Sequence, residues 1–373
     1  MSRYRFSPKI LTPAVGRGKT VYDVAIIGAG PSGVFLARFL DQRYRVLLID
    51  KRNLDSPDSP RLKKCCGGLL APDAQNILAR LGMGLPGDVL TGPQLFSVRA
   101  IDMDHDLERY YQRFYINIDR EKFDRWLAAA LPEHVDQRYD SLYLSHRKAE
   151  DGITVVFRQN GEIKEARTKI LVGADGAGSR VRRQADPSFR GPSYLALQYW
   201  FKTEKETPFY TSLFHRSVTD FYSWIIQKED HLLVGSALPP GKERKRRFED
   251  LVTTLKRRGL ITGDPVRKEG AFINRPKRVS EIRTHLDNVA FTGEAAGFIS
   301  PSSAEGISYA IKSGLLLAES INSDFLSFQK TYHHKTRGLR MNIWLKNRKL
   351  PFMYNGLLRR LIMASGLFSM KIR

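Results

Sequence analysis

One short stretch near the front of the chain limits the fold more than any other. The apolar run Tyr22-Asp23-Val24-Ala25-Ile26-Ile27 passes directly into Gly28-Ala29-Gly30-Pro31-Ser32-Gly33, and a helical pattern follows from Val34 to Leu40. A strand that turns on glycines into a helix is the cradle for a pyrophosphate. The glycines allow the tight turn, close backbone approach to the ligand and close helix–strand packing, while the helix N-terminus offers free N–H groups and a positive dipole end. A second strand, Arg45 to Ile49, ends at Asp50, 22 residues beyond Gly28, the spacing at which an acid accepts hydrogen bonds from an adenosine ribose. The turn, the strands and the acid together predict a dinucleotide site built from Gly28, Gly30, Pro31, Ser32, Gly33 and Asp50. This motif does not separate NAD from FAD.

Composition narrows the remaining classes. At 373 residues the chain is long enough for about two domain-sized lobes and a large core. Its two cysteines are adjacent, Cys65 and Cys66, so there is no disulfide framework and a reducing, cytoplasmic setting is expected. No secretory signal is legible, and the longest nearly apolar stretch, Leu361 to Met370, is too short to span a bilayer. No Cys/His cluster has metal spacing, so no metal is expected. Lys and Arg number 61 against 39 Asp and Glu, a net charge of +22. Much of the excess sits at the ends: residues 1–19 hold five basic residues and no acid, and Thr331 to Arg373 hold ten and no acid. The second segment interleaves those charges with Trp344, Leu345, Phe352, Leu357, Leu361, Leu367 and Phe368. Two readings stand equal: helices lying on an anionic membrane, peripheral on the inner face, or helices packed on their own domain with a solvated basic face. Nucleic acid is not expected, because no zinc finger, basic zipper or RNP motif accompanies the charge.

Three further segments sharpen the class. Lys169 to Val172 is an apolar strand ending in Gly173-Ala174-Asp175-Gly176; Asn288 to Thr292 is another, ending in Gly293-Glu294-Ala295-Ala296-Gly297 and followed by Glu305-Gly306-Ile307; and Lys64-Cys65-Cys66-Gly67-Gly68-Leu69-Leu70-Ala71-Pro72-Asp73-Ala74-Gln75 lies between the Gly28–Gly33 turn and Lys169. In this order they resemble the flavoprotein superfamily of geranylgeranyl reductases, aromatic-ring hydroxylases and flavin-dependent halogenases, and most closely its bacterial CbrA-like branch. The similarity covers most of residues 20 to 345. It implies FAD as cofactor, with the first motif on the pyrophosphate, Asp175 and Gly176 beside the flavin, and Gly293, Glu294, Gly297 and Gly306 along the ribityl and pyrophosphate region. It also implies that Gly67 and Gly68 lie near the ring and that Arg120 contacts the cofactor. Three departures stand out: Glu294 replaces the usual Asp, Cys65 replaces a proline, and the extension before Thr20 is additional.

The resemblance implies an α/β fold: a Rossmann-type FAD-binding domain with a parallel sheet, an inserted, mostly antiparallel substrate sheet and a C-terminal helical segment. The expected division is a basic extension over 1–19, an FAD-binding domain over 20–90, 115–185 and 271–325, a substrate domain over 91–114 and 186–270, and basic amphipathic helices over 326–373. Alternation over Leu95–Ile118 and from Tyr194 to Ala237 fits strands of the inserted sheet. Its aromatic residues, with Tyr222, Trp224 and Trp200 foremost, suggest an apolar substrate chamber, although strand alternation sends many of them into ordinary sheet core. Cys66 is the candidate proton donor; no basic neighbour is legible that would lower its pKa. Asp124 reads as a helix-surface acid, and Arg180, Arg182 and Arg183 read either as a phosphate site or as loop decoration. The favoured activity is hydride transfer from reduced flavin to an isoprenoid-like substrate, with NADPH or a small electron carrier as donor. A flavin monooxygenase and a flavin-binding, membrane-associated stress-resistance protein are the alternatives.

Overall fold

The computed structural model describes residues 21–56, 64–191 and 194–371. The basic extension over 1–19 lies outside the described residues. In chain order the strands are β1 (Val21–Ile27), β2 (Val46–Ile49), β3 (Leu69–Leu70), β4 (Leu95–Asp102), β5 (Leu107–Asn117), β6 (Val135–Arg138), β7 (Ser141–Ala149), β8 (Gly152–Gln159), β9 (Glu162–Gly173), β10 (Tyr194–Lys202), β11 (Phe209–Phe214), β12 (Ser223–Lys228), β13 (His231–Leu238), β14 (Arg267–Ile273), β15 (His285–Leu286) and β16 (Val289–Phe291). The helices are α1 (Pro31–Phe39), α2 (Pro72–Arg80), α3 (Arg120–Ala129), α4 (Arg180–Ala185), α5 (Arg244–Arg257), α6 (Ile307–Ser323), α7 (Phe328–Lys335), α8 (Arg337–Tyr354) and α9 (Gly356–Ser365).

The first sheet runs β15-β16-β9-β1-β2-β6, parallel across its centre, with β7 and β8 attached to β9 as an antiparallel meander. Its central strands are apolar without alternation, Val24 to Ile27, Val46 to Ile49 and Ile170 to Val172, because both faces are covered. Helix α1 packs against the end of β1 at backbone distance, where a Cβ on Gly33 would lie 1.9 Å from Gly28 O, and α6 packs as closely on α1, where a Cβ on Gly314 would lie 2.4 Å from Ser32 O. The third glycine of the turn therefore serves packing, as the motif predicts.

The second sheet runs β14-β10-β13-β12-β11-β4-β5-β3, and only its β4–β11 pair is parallel. Strand alternation divides its aromatic residues. Tyr199, Phe201, Leu213 and Ile225 face α5, where Tyr199 meets Phe248 edge to face with ring centroids 4.8 Å apart. Phe214, Tyr222, Trp224 and Ile226 face the other way, toward the first sheet and the C-terminal helices. Trp224 has room on that face because its cross-strand partner is Gly235, where a Cβ would lie 2.3 Å from the indole.

Helices α7 to α9 pack against both lobes. Tyr332 is fully buried and donates to Phe291 O (3.1 Å); Tyr354 donates to Ser302 O (2.6 Å). Arg359 on α9 forms a fork on Asp102 at the end of β4, Nε to Oδ2 at 2.8 Å and Nη2 to Oδ1 at 3.0 Å, and reaches Asp104 at 3.0 Å. No helix among the described residues is long and apolar enough to cross a membrane. Because the Asp102 side chain is fully buried, Asp102→Ala leaves Arg359 facing a void with half its partners gone. Thermal unfolding should show a loss of about 3–5 kcal/mol, the usual result of breaking one side of a buried pair. Arg359→Met should cost a comparable amount, because it leaves the buried Asp102 and Asp104 carboxylates without their guanidinium partner.

Candidate functional site

A cavity of about 240 Å³ opens where the carboxyl ends of β1 and β9 meet the second sheet. Gly30, Pro31 and Ser32 form its floor at the start of α1, whose N-cap is Gly30 and whose first residue is Pro31. Gly28, beneath them, has φ +110, and a Cβ there would strike Ala174 O at 2.5 Å, so glycine is required. At Gly30 and Gly176 a Cβ would meet nothing within 4 Å; both positions line the cavity. Bare backbone beside open space, with the free N–H groups of α1 directed at it, fits a dinucleotide pyrophosphate.

Cys66, Gly67 and Gly68 arch over this floor. Gly68 has φ +61, and a Cβ there would meet Ile118 O at 2.4 Å and Lys228 Nζ at 2.6 Å. Lys228 is buried at the end of β12 and donates to Gly68 O, Asn117 Oδ1 and Ile118 O at 2.9, 2.5 and 2.9 Å. One ammonium thus fixes the arch to the start of α3. Burial brings its pKa down to about 7, so the three bonds are at full strength only in the protonated form.

Beneath the arch lies a cluster of charges. Asp124, with its side chain fully buried, accepts from Arg120 Nε (2.9 Å) and Arg52 Nη1 (2.6 Å). Burial alone would raise its pKa, but the two guanidinium groups and Lys64 outweigh it and hold the carboxyl at about 2. Cys66 accepts from Gly68 N at 3.4 Å, and Arg120 Nη1 lies 3.5 Å from its Sγ. Burial raises a thiol pKa, yet Arg120, the Gly68 N–H and Lys64 overcome it, and Cys66 lies below the ordinary thiol value. Cys65 does the opposite: burial, Glu269 and Cys66 push it up to about 12, and its sulfur accepts from Gln198 Nε2 at 2.9 Å. Glu294 also faces the cavity. It accepts from Asn274 N at 2.8 Å, and burial raises its pKa despite Lys64 and Arg120.

The opposite end of the cavity is aromatic, lined by Tyr115, Tyr210, Tyr222, Trp224 and Ile226. Tyr222 donates to Ser303 O at 2.6 Å, and Trp224 Nε1 donates to Gln198 Oε1 at 3.2 Å. One space therefore has a glycine-lined cationic end and an aromatic end, with Cys66 on its wall.

Of the sequence-predicted residues, Gly30, Pro31, Ser32, Cys66, Gly67, Gly68, Arg120, Gly176, Tyr222, Trp224, Glu294 and Gly306 line this one cavity. Others stand behind it. Asp50 braces the glycine turn, accepting from Ala29 N at 2.7 Å and from Arg52 N at 2.8 Å. Asp175 is turned away from the cavity: its carboxylate accepts from Ser179 Oγ (2.5 Å) and Arg180 N (2.7 Å), capping α4. Gly293, at φ +58, fits closely against Ser32, and Gly297, at φ +94, turns the chain beside Glu281.

Three expectations require correction. Trp200 is not part of the aromatic chamber. It lies farther along β10 in an adjoining polar cleft with Glu269, Arg267 and Lys228, its indole N–H bound to Glu269 and Arg267 stacked on its ring at 5.1 Å. Asp124 is not a surface acid; it faces inward from α3 to hold two arginines. Arg182 is neither a phosphate ligand nor loop decoration, being buried with its guanidinium on Ala295 O and Glu281 O at 3.1 and 2.8 Å. Conversely, Tyr115, Tyr210 and Gln198 carry no site assignment in the sequence and reach the cavity through strand register, Lys228 reaches the adjoining cleft in the same way, and Lys64 stands in the Cys-Gly-Gly segment without being assigned a role.

The charge cluster sets a pH dependence. Asp124 ionises far more readily folded than unfolded, so its contribution is complete above about pH 4 and is lost as pH falls toward 2. Asp124→Asn should remove this acid limb from the stability–pH curve. It should also lower stability by about 3–5 kcal/mol at neutral pH, since the buried Arg120 loses its carboxylate partner and Arg52 keeps only Asp50. Chemical denaturation across pH 2–8 checks both.

Comparison with known proteins agrees with this geometry. The FAD binding domain family model matches residues 21–325. Protein CbrA of Escherichia coli O157:H7 is 39% identical over 346 residues, which is 93% of this chain and 97% of that protein. Among solved structures, a geranylgeranyl bacteriochlorophyll reductase-like protein from Thermoplasma acidophilum superposes with a TM-score of 0.77 at 22% identity, covering 92% of this chain and 91% of that one. The myxobacterial chondrochloren halogenase CndH, an FAD-dependent halogenase, superposes with a TM-score of 0.68 at 21% identity over 87% and 82% of the two chains. These two share the fold. With the glycine floor fitted to a pyrophosphate and the family matched over most of its length, the chain belongs to the FAD binding domain family of FAD-dependent oxidoreductases, alongside the CbrA proteins.

Proposed function

We propose that the protein is a reductase that adds hydrogen across a carbon–carbon double bond of an apolar, isoprenoid-like substrate. The observation that carries this reading is the place of Cys66: a thiol of lowered pKa on the wall between the cofactor end and the aromatic end of one cavity. FAD, when reduced, supplies the hydride; positioning and proton supply fall to the protein.

Saturating a double bond needs a proton as well as a hydride. Cys66 Sγ holds that proton, and lowering its pKa brings the acid nearer the working pH, where general acids are most effective. The thiolate left behind is stabilised by Arg120 Nη1 at 3.5 Å and Gly68 N–H at 3.4 Å. The proton is restored through the adjoining polar cleft, which shares Lys64, Cys66, Gly68 and Arg120 with the cavity. Tyr210, Tyr222 and Trp224 enclose the apolar substrate and exclude water. Of the two GxGxxG runs, Gly28–Gly33 joins a strand to a helix whereas Gly82–Gly87 follows α2 and has no strand before it, which favours a donor that binds transiently, NADPH or a small electron carrier.

The purified protein should be yellow and release FAD on denaturation. Under anaerobic conditions, protein reduced in advance should be reoxidised by a lipid bearing geranylgeranyl chains, with saturated product seen by mass spectrometry. A hydroxylated product formed only with oxygen would establish the monooxygenase reading instead. Cys66→Ser should retain FAD but lose about 10²–10⁴-fold in turnover. In the wild type the rate should fall as pH rises through the Cys66 pKa, and the variant should lack that limb.

A further inference from the structure

We propose that the outer faces of α8 and α9 form a docking surface for an anionic lipid bilayer. Nine of the 17 exposed large apolar side chains among the described residues lie between Met341 and Met370. Their spacing is helical. At about 100° per residue, Met341, Trp344, Leu345 and Phe352 share one side of α8 with Arg348, which stacks on Trp344 at 4.9 Å. The opposite side, with Leu339 and Ile343, is buried. On α9, Arg359 and Met363 point inward, while Leu357 and Leu361, at 70% and 67% exposure, and Arg360 point outward. Phe368, at 87% exposure, continues the apolar surface beyond the helix.

The charge on this surface selects the partner. The segment from Thr331 to Arg373 has ten Lys or Arg and no Asp or Glu; Arg359 is taken up by Asp102 and Lys335 by Glu319, whereas Arg337, Arg348, Lys349 and Arg360 are exposed. Apolar side chains at helical spacing among cations match the boundary between anionic headgroups and acyl chains. A purely electrostatic partner such as nucleic acid would leave Leu357, Leu361 and Phe368 in water. The Asp102–Arg359 pair anchors α9, and Tyr354 and Met363 belong to the same buried cluster as Tyr222 and Trp224. The docking helices are therefore joined to the wall of the aromatic chamber.

The surface residues are exposed, so changing them leaves the fold and flavin site intact. Full-length protein should co-sediment with phosphatidylglycerol–phosphatidylcholine vesicles at low salt and remain in the supernatant with phosphatidylcholine alone. The triple variant Leu357→Ser, Leu361→Ser, Phe368→Ser should bind anionic vesicles at least tenfold more weakly, with unchanged melting temperature and FAD content. Arg348→Glu with Arg360→Glu should have a similar effect. The proposal is overturned if wild type ignores anionic vesicles or if the triple serine variant binds as wild type does. It is equally overturned if duplex DNA displaces the vesicles while binding the triple variant undiminished, which would make the surface a nucleic-acid site.

Discussion

The site rests on two guanidinium groups sharing one buried carboxylate. Arg52 comes from the end of β2, while Arg120 and Asp124 stand one turn apart on α3, so their contact fixes the glycine turn, the second strand and α3 together. Buried charges are tolerated only with partners and hydrogen bonds. Arg52 also pairs with Asp50 at 3.1 Å, so the two arginines are matched by two carboxylates and Lys64 is the added cation at the cavity. Arg120, the Gly68 N–H and Lys64 lower the pKa of Cys66 against the effect of burial, and the two cations make the same end of the cavity receptive to a pyrophosphate. Arg120 thus serves both structural support and chemical bias.

The second sheet adds the other half of the site by geometry alone. Its strands are ordinary alternating strands, yet alternation separates residues that are neighbours in sequence: Ile225 packs toward α5, whereas Trp224 and Ile226 line the cavity. Lys228, at the end of that strand, points to the Gly68 arch and binds it. A reaction chamber with a cationic end and an aromatic end thus arises from two sheets with different rules, one buried on both faces and one divided between a helix-covered face and a cavity.

Charge at the C-terminus follows a different logic. None of the described residues of the acid-free segment lines the cavity, yet the segment is not a loose tail. Arg359 is spent inside the fold on Asp102, and its neighbour Arg360 faces outward, so identical residue types one position apart divide between anchoring and surface. Of the two sequence readings of this segment, packing on its own domain is realised on the inner faces of α8 and α9. The outer faces keep the pattern that suggested a lipid surface.

The sequence by itself determined the dinucleotide cradle, because only glycine fits where Gly28, Gly33 and Gly68 meet backbone atoms. It also determined the parallel core, because strands buried on both faces read as unbroken apolar runs. It brought the glycine-lined part of the cavity to notice through local motifs, each of which encodes a backbone shape. What it did not carry is which charged side chains point inward. Asp124 reads as a surface acid on its own helix, and it becomes the centre of the site only because Arg52, 72 residues earlier, is brought within 2.6 Å by sheet order. Asp175 and Trp200 show the reverse, one taken up as a helix cap and the other carried a little too far along its strand to reach the chamber. Burial, pairing and pKa depend on distances between segments far apart in the chain, so only the tertiary structure decided them.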